Sequence, residues 1–393
     1  MEYKILDTCL VCDSKNLQPF CDLGTQPLAN NLKDKVDQPD ELFPLKTNVC
    51  TDCWHSQLSV AVDREALFRH YLYVSGTTNT MVNEFDAVAK VITAENPNGK
   101  KMLDIASNDG TLMRSFMKCG WDTWGIDPAE NLVGASSLRF NMICDFFPSE
   151  RLRGKFDVIT AFNVFAHVPN PVDFVRSCAE HLADDGTLYI QTSQKNMIKN
   201  GEFDTIYHEH HSFFSVNSMA TIVHRAGLYL SDVEFRPIHG TSYLFKIKKS
   251  PQVTEKPIIT EAVQKKMDEE KHLYSIDTYK EFGAKVEQNK NKLRELIANS
   301  RKTVVGYGCA AKGVVRTNYF GVHHKYIVDE NPLKIGKVVG GVNIRIASPE
   351  EFMIDPEPLL IIVYAWNLYD EIVGKIRKQR PNMNDEIISA NII

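Results

Sequence analysis

The stretch from Lys101 to Phe116, K-M-L-D-I-A-S-N-D-G-T-L-M-R-S-F, constrains the fold more than any other. Met102 to Ile105 read as a buried strand, Ala106 to Gly110 as a tight turn of small and polar residues. From Thr111 the apolar residues Leu112, Met113 and Phe116 fall at helical spacing. Strand, turn and helix in this order aim backbone N–H groups and a helix N-terminus at a ligand. A second apolar run, Thr123 to Asp127, ends in an acid placed to accept both hydroxyls of a ribose. The turn lacks the G-x-G-x-x-G spacing of a dinucleotide site. That favours S-adenosylmethionine (SAM), which has a ribose but no pyrophosphate. An α/β domain whose polar turn binds nothing stays open.

Around this unit strands and helices alternate. Strands are expected at Met102–Ile105, Thr123–Ile126, Phe156–Phe162 and Thr187–Thr192, and helices at Thr111–Lys118, Asn131–Leu138 and Val172–His181. Alternation of this kind builds a parallel sheet covered on both faces, with ligands beyond the carboxyl ends of the strands. That rule selects Asp104, Ala106, Asn108, Gly110 and Asp127, then Asp145 and Phe146 as partners of an adenine, then Asn163 and His167. Tyr229 to Lys249 alternate apolar and polar residues and read as two antiparallel strands about a turn at 239–243.

Ahead of the sheet lie Cys9-Leu10-Val11-Cys12 and Cys50-Thr51-Asp52-Cys53. Two C-x-x-C knuckles let four thiolates converge on one structural Zn²⁺ with no open coordination position, a reading that the pairing favours over redox dithiols. Pro19, Pro27, Pro39 and Pro44 between them suggest a loop-rich module held together by the metal. Cys21 is outside the spacing and is expected to pack as a small apolar residue. The N-terminus carries no apolar signal region and no run is long enough to span a bilayer, so a cytoplasmic protein with reduced thiols is expected. With a net charge of -5 and few basic residues near the knuckles, neither a nucleic acid nor a membrane is an expected partner.

Beyond the fourth strand comes Tyr207-His208-Glu209-His210-His211, the densest cluster of proton-transfer groups in the chain. Imidazole and carboxylate are suitable general bases near neutral pH, and the cluster follows a strand's carboxyl end. It lacks the i, i+4 histidine pair of a zinc-binding helix, although metal binding and a purely structural role compete. Residues 71–80, rich in hydroxyls and amides and including Tyr73 and Ser75, suit a polar pocket or a solvated linker equally. From Ile259 to Arg301 one or two charged helices lead to T-V-V-G-Y-G-C-A-A-K-G at 303–313. This second strand–glycine turn–helix is open to NAD, to a sugar nucleotide's phosphates, with Lys312 at a helix N-terminus to meet a pyrophosphate, or equally to a purely structural role. A further buried strand, Pro358 to Trp366, ends at Asn367.

The order of parts is more specific than any one of them. Paired knuckles, Y-x-Y-x-S-G, D-I-A-S-N-D-G, N-V-F-A-H-V-P, Y-H-E-H and a terminal G-Y-G-x-x-x-K-G follow one another. Over its whole length the chain resembles the three-domain SAM-dependent C-methyltransferases of deoxysugar biosynthesis, which methylate a ring carbon, usually C3, of a nucleotide-linked 4-keto-6-deoxysugar. The resemblance implies an α/β protein: a zinc-binding domain over 1–66, a Rossmann-like SAM domain over 67–250 and a second Rossmann-like domain over 251–393. It implies structural zinc on Cys9, Cys12, Cys50 and Cys53, and SAM on the Asp104–Gly110 loop and Asp127. It implies an active site of Tyr207, Glu209 and His210, with His210 the general base, and Tyr73 and His167 as further pocket residues. The keto-sugar nucleotide would lie between the central and terminal domains, and Ser75, Tyr243, Lys312 and Asn367 are the expected substrate contacts. Ala106 departs from the pattern where such loops carry Gly, and 239–241 varies a turn that often has two glycines.

The residue types suit the chemistry. A C–H beside a ketone is acidic because the carbanion spreads onto oxygen, so a base at carbon and donors at oxygen are required. His210 is expected to take the proton and Glu209 to orient or charge the imidazole. Tyr207 and Tyr73, with His167, are expected to face the keto oxygen. An NAD-dependent sugar-nucleotide oxidoreductase, an O- or N-methyltransferase, and a zinc-ribbon scaffold without chemistry are the rival readings. The sequence fixes no oligomeric state, and a monomer is compatible with it.

Overall fold

The computed structural model describes residues 3–63, 67, 75–77, 79–136, 140–193, 196–236, 238, 241–251 and 254–392. At the N-terminus, β1 (Tyr3–Ile5), β2 (Leu17–Gln26), β3 (Phe43–Cys50), β4 (Ser56–Leu58) and β5 (Val60–Val62) replace the expected loops with paired strands. β2, β3 and β4 form an antiparallel meander, and β1 pairs with β5. The prolines are accommodated by position. Pro19 lies on β2, an edge strand, next to a register shift before Cys21, and Pro44 lies at the entry of β3. At those places a missing N–H breaks little of the ladder. Cys21 is buried, as its spacing suggested. The helical pattern expected over Asp63–Tyr73 lies, except for Asp63 and Leu67, outside the described residues.

The middle of the chain runs α1 (Asn79–Glu95), β6 (Lys101–Ile105), α2 (Thr111–Lys118), β7 (Asp122–Asp127), α3 (Glu130–Ser136), β8 (Asn141–Cys144), β9 (Phe156–Phe162), α4 (Pro171–His181) and β10 (Leu182–Thr192). After it come α5 (Met197–Asn200), β11 (Ser212–Phe213), α6 (Val216–Arg225), β12 (Leu228–Arg236) and β13 (Ser242–Lys249). Seven of the strands form one sheet in the order β12-β13-β10-β9-β6-β7-β8. β8, β7, β6, β9 and β10 are parallel, and β13 closes that row antiparallel. The chain leaves β6 toward β7 and β8, then returns to β9 on the other side. The crevice between the carboxyl ends of β6 and β9 is therefore the topological switch point. Met81, Phe85, Val88 and Ile92 of α1 pack on Met102, Leu112 and Phe116. β8 was absent from the expected strands.

The rest comprises α7 (Glu261–Glu269), α8 (Ile276–Asn299), β14 (Thr303–Tyr307), α9 (Ala311–Phe320), β15 (Ile327–Val328), β16 (Val338–Val339), β17 (Ile344–Ala347), α10 (Pro349–Met353), β18 (Leu359–Val363), α11 (Tyr369–Gln379) and β19 (Glu386–Ser389). Its sheet order is β16-β17-β15-β14-β18-β19, again with a switch point, here between β14 and β18. Among the described residues no helix is long and apolar enough to cross a membrane.

Two features draw the three parts together. β11, immediately after the histidine cluster, leaves the central sheet and pairs with β4, becoming the fourth strand of the N-terminal sheet. One apolar core joins Leu45, Val49 and Leu58 of that sheet, Phe203, Ile206 and Phe213 around the cluster, and Val314, Phe320 and Ile362 of the last part. α8 crosses β2 so closely that a Cβ on Gly283 would stand 2.4 Å from the Phe20 carbonyl oxygen. Only glycine permits that approach.

Candidate active site at the junction of three sheets

The four cysteines of the knuckles converge, every Sγ within 4.8 Å of every other. Cys9 and Cys53 are 3.5 Å apart, Cys12 and Cys50 3.6 Å. These separations are too long for disulfides and close to the ~3.8 Å edge of a tetrahedron with Zn–S near 2.3 Å. Cys9, Cys50 and Cys53 are buried. Four close thiols, three of them buried and Cys12 half-buried, suit a divalent cation, and the site is a structural zinc centre. Among the described residues this is the only such convergence of metal-ligating groups.

At the switch point, the backbone of the β6–α2 turn takes left-handed conformations at Ala106 (φ 59°), Asn108 (φ 52°) and Gly110 (φ 76°). The turn is held by Asp127, whose carboxylate accepts the N–H of Asn108 at 2.8 Å and of Ala129 at 2.8 Å. Asp329 grips the corresponding turn of the C-terminal sheet in the same way, through the N–H groups of Cys309 and Asn331. The two Rossmann-like units are thus built alike. Asp104 is buried against the Thr160 hydroxyl at 2.7 Å, and burial raises its carboxyl to about 7. Asp145 is occupied by Phe146 N–H and the Ser149 hydroxyl. Asn163, at φ 55°, closes β9 on the Gln191 carbonyl. Ser107 Oγ, Asn163 Oδ1, Gln191 Nε2 and Thr192 Oγ1 are buried without partners at the carboxyl ends of adjacent strands. Buried polar atoms without partners are expensive. A polar ligand seated in the crevice satisfies them, and the crevice fits SAM. Of these, only Asn163 was named individually from sequence.

Ala106 holds a conformation that costs a residue with a Cβ about 1–2 kcal/mol. Ala106→Gly is expected to raise unfolding stability by about 0.5–1 kcal/mol, once the freer unfolded chain is subtracted. Urea midpoints of the two proteins check this, with SAM affinity preserved.

The histidine cluster sits where the three sheets meet. A 3₁₀ turn, Phe203–Thr205, precedes it. The Thr205 carbonyl lies 2.7 Å from His210 Nδ1, and the Tyr207 hydroxyl 2.8 Å from Nε2. A carbonyl only accepts, so Nδ1 carries the proton and Nε2 presents a lone pair to the Tyr207 O–H. Burial, with the neighbouring His167 and Lys312 charges, holds the imidazole well below its usual range, so it is neutral at neutral pH. His167 stacks obliquely at 4.9 Å between centroids and donates through Nδ1 to the Glu209 carbonyl at 2.8 Å.

Glu209 departs from expectation. Its carboxyl does not take the Nδ1 contact, which goes to Thr205; Oε1 instead accepts from the Asn30 amide at 2.6 Å and Oε2 is buried without a partner. Burial raises it to about 7. Asn30, from the N-terminal part, was invisible in the sequence because the contact spans 179 positions.

Lys312 stands at the start of α9, 5.4 Å over the Trp366 ring, and no carboxylate among the described residues is within ion-pair distance. Asn367 is exposed beside Trp366. Ser75 donates its backbone N–H to Asn108 Oδ1, fastening 75–77 to the ligand turn. Tyr243 is 1% exposed, its hydroxyl on Glu270 and its ring stacked on Phe245. Glu270 and Phe245 place it in the protein core. Tyr73 lies outside the described residues.

Three family models match successive parts of the chain. A zinc binding domain matches residues 9–68, a methyltransferase domain 81–233, and a C-methyltransferase C-terminal domain 237–388. The C-methyltransferase NovU of Streptomyces niveus is 29% identical over 94% of this chain and 91% of its own. The chain belongs to the three-domain SAM-dependent C-methyltransferases. A ubiquinone biosynthesis O-methyltransferase of Shewanella halifaxensis (strain HAW-EB4) is 24% identical to this C-methyltransferase over 39% of this chain and 74% of its own. Among solved structures, a SAM-dependent methyltransferase from Clostridium acetobutylicum ATCC 824 aligns at TM-score 0.36 and 11% identity, over 43% of this chain and 92% of that one.

Proposed function

We propose that this C-methyltransferase acts at C3 of a nucleotide-linked 4-keto-6-deoxysugar, with His210 as the base. The observation that carries it is a neutral, buried imidazole anchored at Nδ1, with its Nε2 lone pair turned to a phenol. A base that removes a proton from carbon needs such a group: neutral at working pH, fixed in one tautomer and held in reach of a hydrogen-bonding partner that substrate can replace. His210 Nε2 takes the C3 proton, and the C–H electrons move onto the C4 oxygen as an enolate. The Tyr207 O–H, released from Nε2, donates to that oxygen as charge develops, with Tyr73 and His167 as further pocket residues. SAM would supply an electrophilic methyl on a sulfonium, and the turn at 106–110, Asp127, Asp145, Phe146 and Asn163 would hold it. Lys312 and Asn367 face the nucleotide's diphosphate, and Ser75 and Tyr243 are second contacts whose backbone and core bonding favours an indirect role.

An ionised Glu209 would stabilise the imidazolium that forms. Its pKa is raised to about 7, so it is protonated below and charged above. kcat should therefore rise with pH through about 7, and Glu209→Gln should flatten that limb. A wild-type profile that is level from pH 6 to 8 would remove Glu209 from this role.

The substrate assignment is tested with [methyl-¹³C]SAM and a panel of dTDP-, GDP- and CDP-linked 4-keto-6-deoxyhexoses. Carbon NMR should place the label on a quaternary ring carbon. Label on oxygen or nitrogen, or turnover with none of the panel, would refute it.

A further inference from the structure

Arg316 is fully buried on α9, in the C-terminal part, yet its partners belong to the catalytic segment. Nε donates to Asp204 Oδ2 at 2.6 Å, and Nη1 to the Ala390 carbonyl at 2.8 Å. The Trp366 indole N–H donates to the same Asp204 oxygen at 2.7 Å, and the guanidinium lies 4.5 Å over the Phe203 ring. Two donors and a cation from the last domain thus hold the first two residues of the turn Phe203–Thr205. Its third residue supplies the carbonyl that fixes His210 Nδ1.

A buried ion pair is a poor means of stabilising a fold. Apolar side chains of similar volume commonly do as well or better. This pair is also incompletely satisfied: Arg316 Nη2 and Asp204 Oδ1 are buried without partners. What the pair supplies, and an apolar contact would not, is direction. It fixes the rotation of the turn about the chain, and with it the aim of the Thr205 carbonyl.

We propose that Arg316 is a positioning residue for His210: through Asp204 it holds the Thr205 carbonyl where the imidazole must keep its proton on Nδ1 and its lone pair on Nε2. This rests on His210 being the base. The C-terminal domain thereby sets the tautomer of a base carried by the central one. With the carbonyl free to turn, the ring spends part of its time as the Nε2–H tautomer, which cannot accept a proton there.

The test uses full-length, zinc-loaded protein with ¹⁵N-histidine, the His210 signals being assigned by their loss in His210→Gln. Variants are Arg316→Met, Arg316→Lys and Arg316→Met/Asp204→Asn; the last leaves no unpaired buried charge and keeps an acceptor for Trp366. Wild type should show protonated Nδ1 and bare Nε2. Arg316→Met and the double variant should show a mixture, with kcat lowered about 10- to 100-fold and the KM for SAM unchanged. Arg316→Lys should recover part of both. A lower melting temperature with tautomer and kcat as in wild type would overturn the proposal and leave Arg316 a structural residue. A shifted tautomer with intact kcat would instead overturn His210 as the base, so the two failures are distinguishable.

Discussion

Replacing His210 by glutamine is expected to lower methyl transfer by at least about 10³-fold, within the range that a positioned base contributes. Glutamine approximates the volume of the ring and keeps an N–H for the Thr205 carbonyl, but it has no basic nitrogen. The ligand turn, held by Asp127 at the end of β7, lies on other strands, so SAM should bind as in wild type. Calorimetry with SAM, metal analysis and single-turnover methyl transfer separate these effects. Loss of SAM binding in the variant would mean that the site had been disturbed and not merely deprived of its base. Tyr207→Phe should fall between, because on the proposed mechanism its hydroxyl is one of several donors to the keto oxygen.

The other large effect is expected at the opposite end of the chain. Cys50→Ser should abolish zinc binding, lower the melting temperature steeply and remove activity, although the metal takes no part in the reaction. Structural zinc sites in isolated fingers contribute about 10–16 kcal/mol of apparent binding free energy to folding. Here β3 ends at Cys50, and the Asn217 amide donates to the Cys53 carbonyl at 2.9 Å. β4 pairs with Ser212 and Phe213, and the Asn30 amide reaches Glu209. Loss of zinc should therefore loosen the sheet that terminates the segment carrying the histidine cluster. Metal content, melting and kcat should fall together on chelation as well as on mutation. Full activity from protein shown to be zinc-free would disprove the coupling.

What the sequence made legible followed local rules. The β6–α2 unit, the five parallel strands apart from β8, and the paired knuckles each carry their signal within a short window. β8, N-M-I-C, is only four residues long, with one buried, too short for periodicity to register. The N-terminal sheet was hidden by its prolines, whose tolerance depends on edge position, a property of the assembled sheet. The site divides in the same way. Tyr207, Glu209 and His210 are neighbours in sequence, but the groups that set their behaviour are not. Asn30 and Arg316 arrive from other domains, and Arg316 lies in an apolar helix segment, Val314-Val315-Arg316, where a buried charge is the one local hint. The role given to Glu209 illustrates the limit. Glu209 was expected to orient or charge the imidazole, and the turn of the chain gives the orienting contact to a backbone carbonyl.

The most direct measurement follows hydrogen at C3 of the keto-sugar that turns over, in deuterated water, with S-adenosylhomocysteine present so that no methyl group can transfer. Wild-type enzyme should wash solvent deuterium into C3, and His210→Gln should do no more than the uncatalysed background. Exchange in His210→Gln at the wild-type rate would contradict the account and assign the proton to another base.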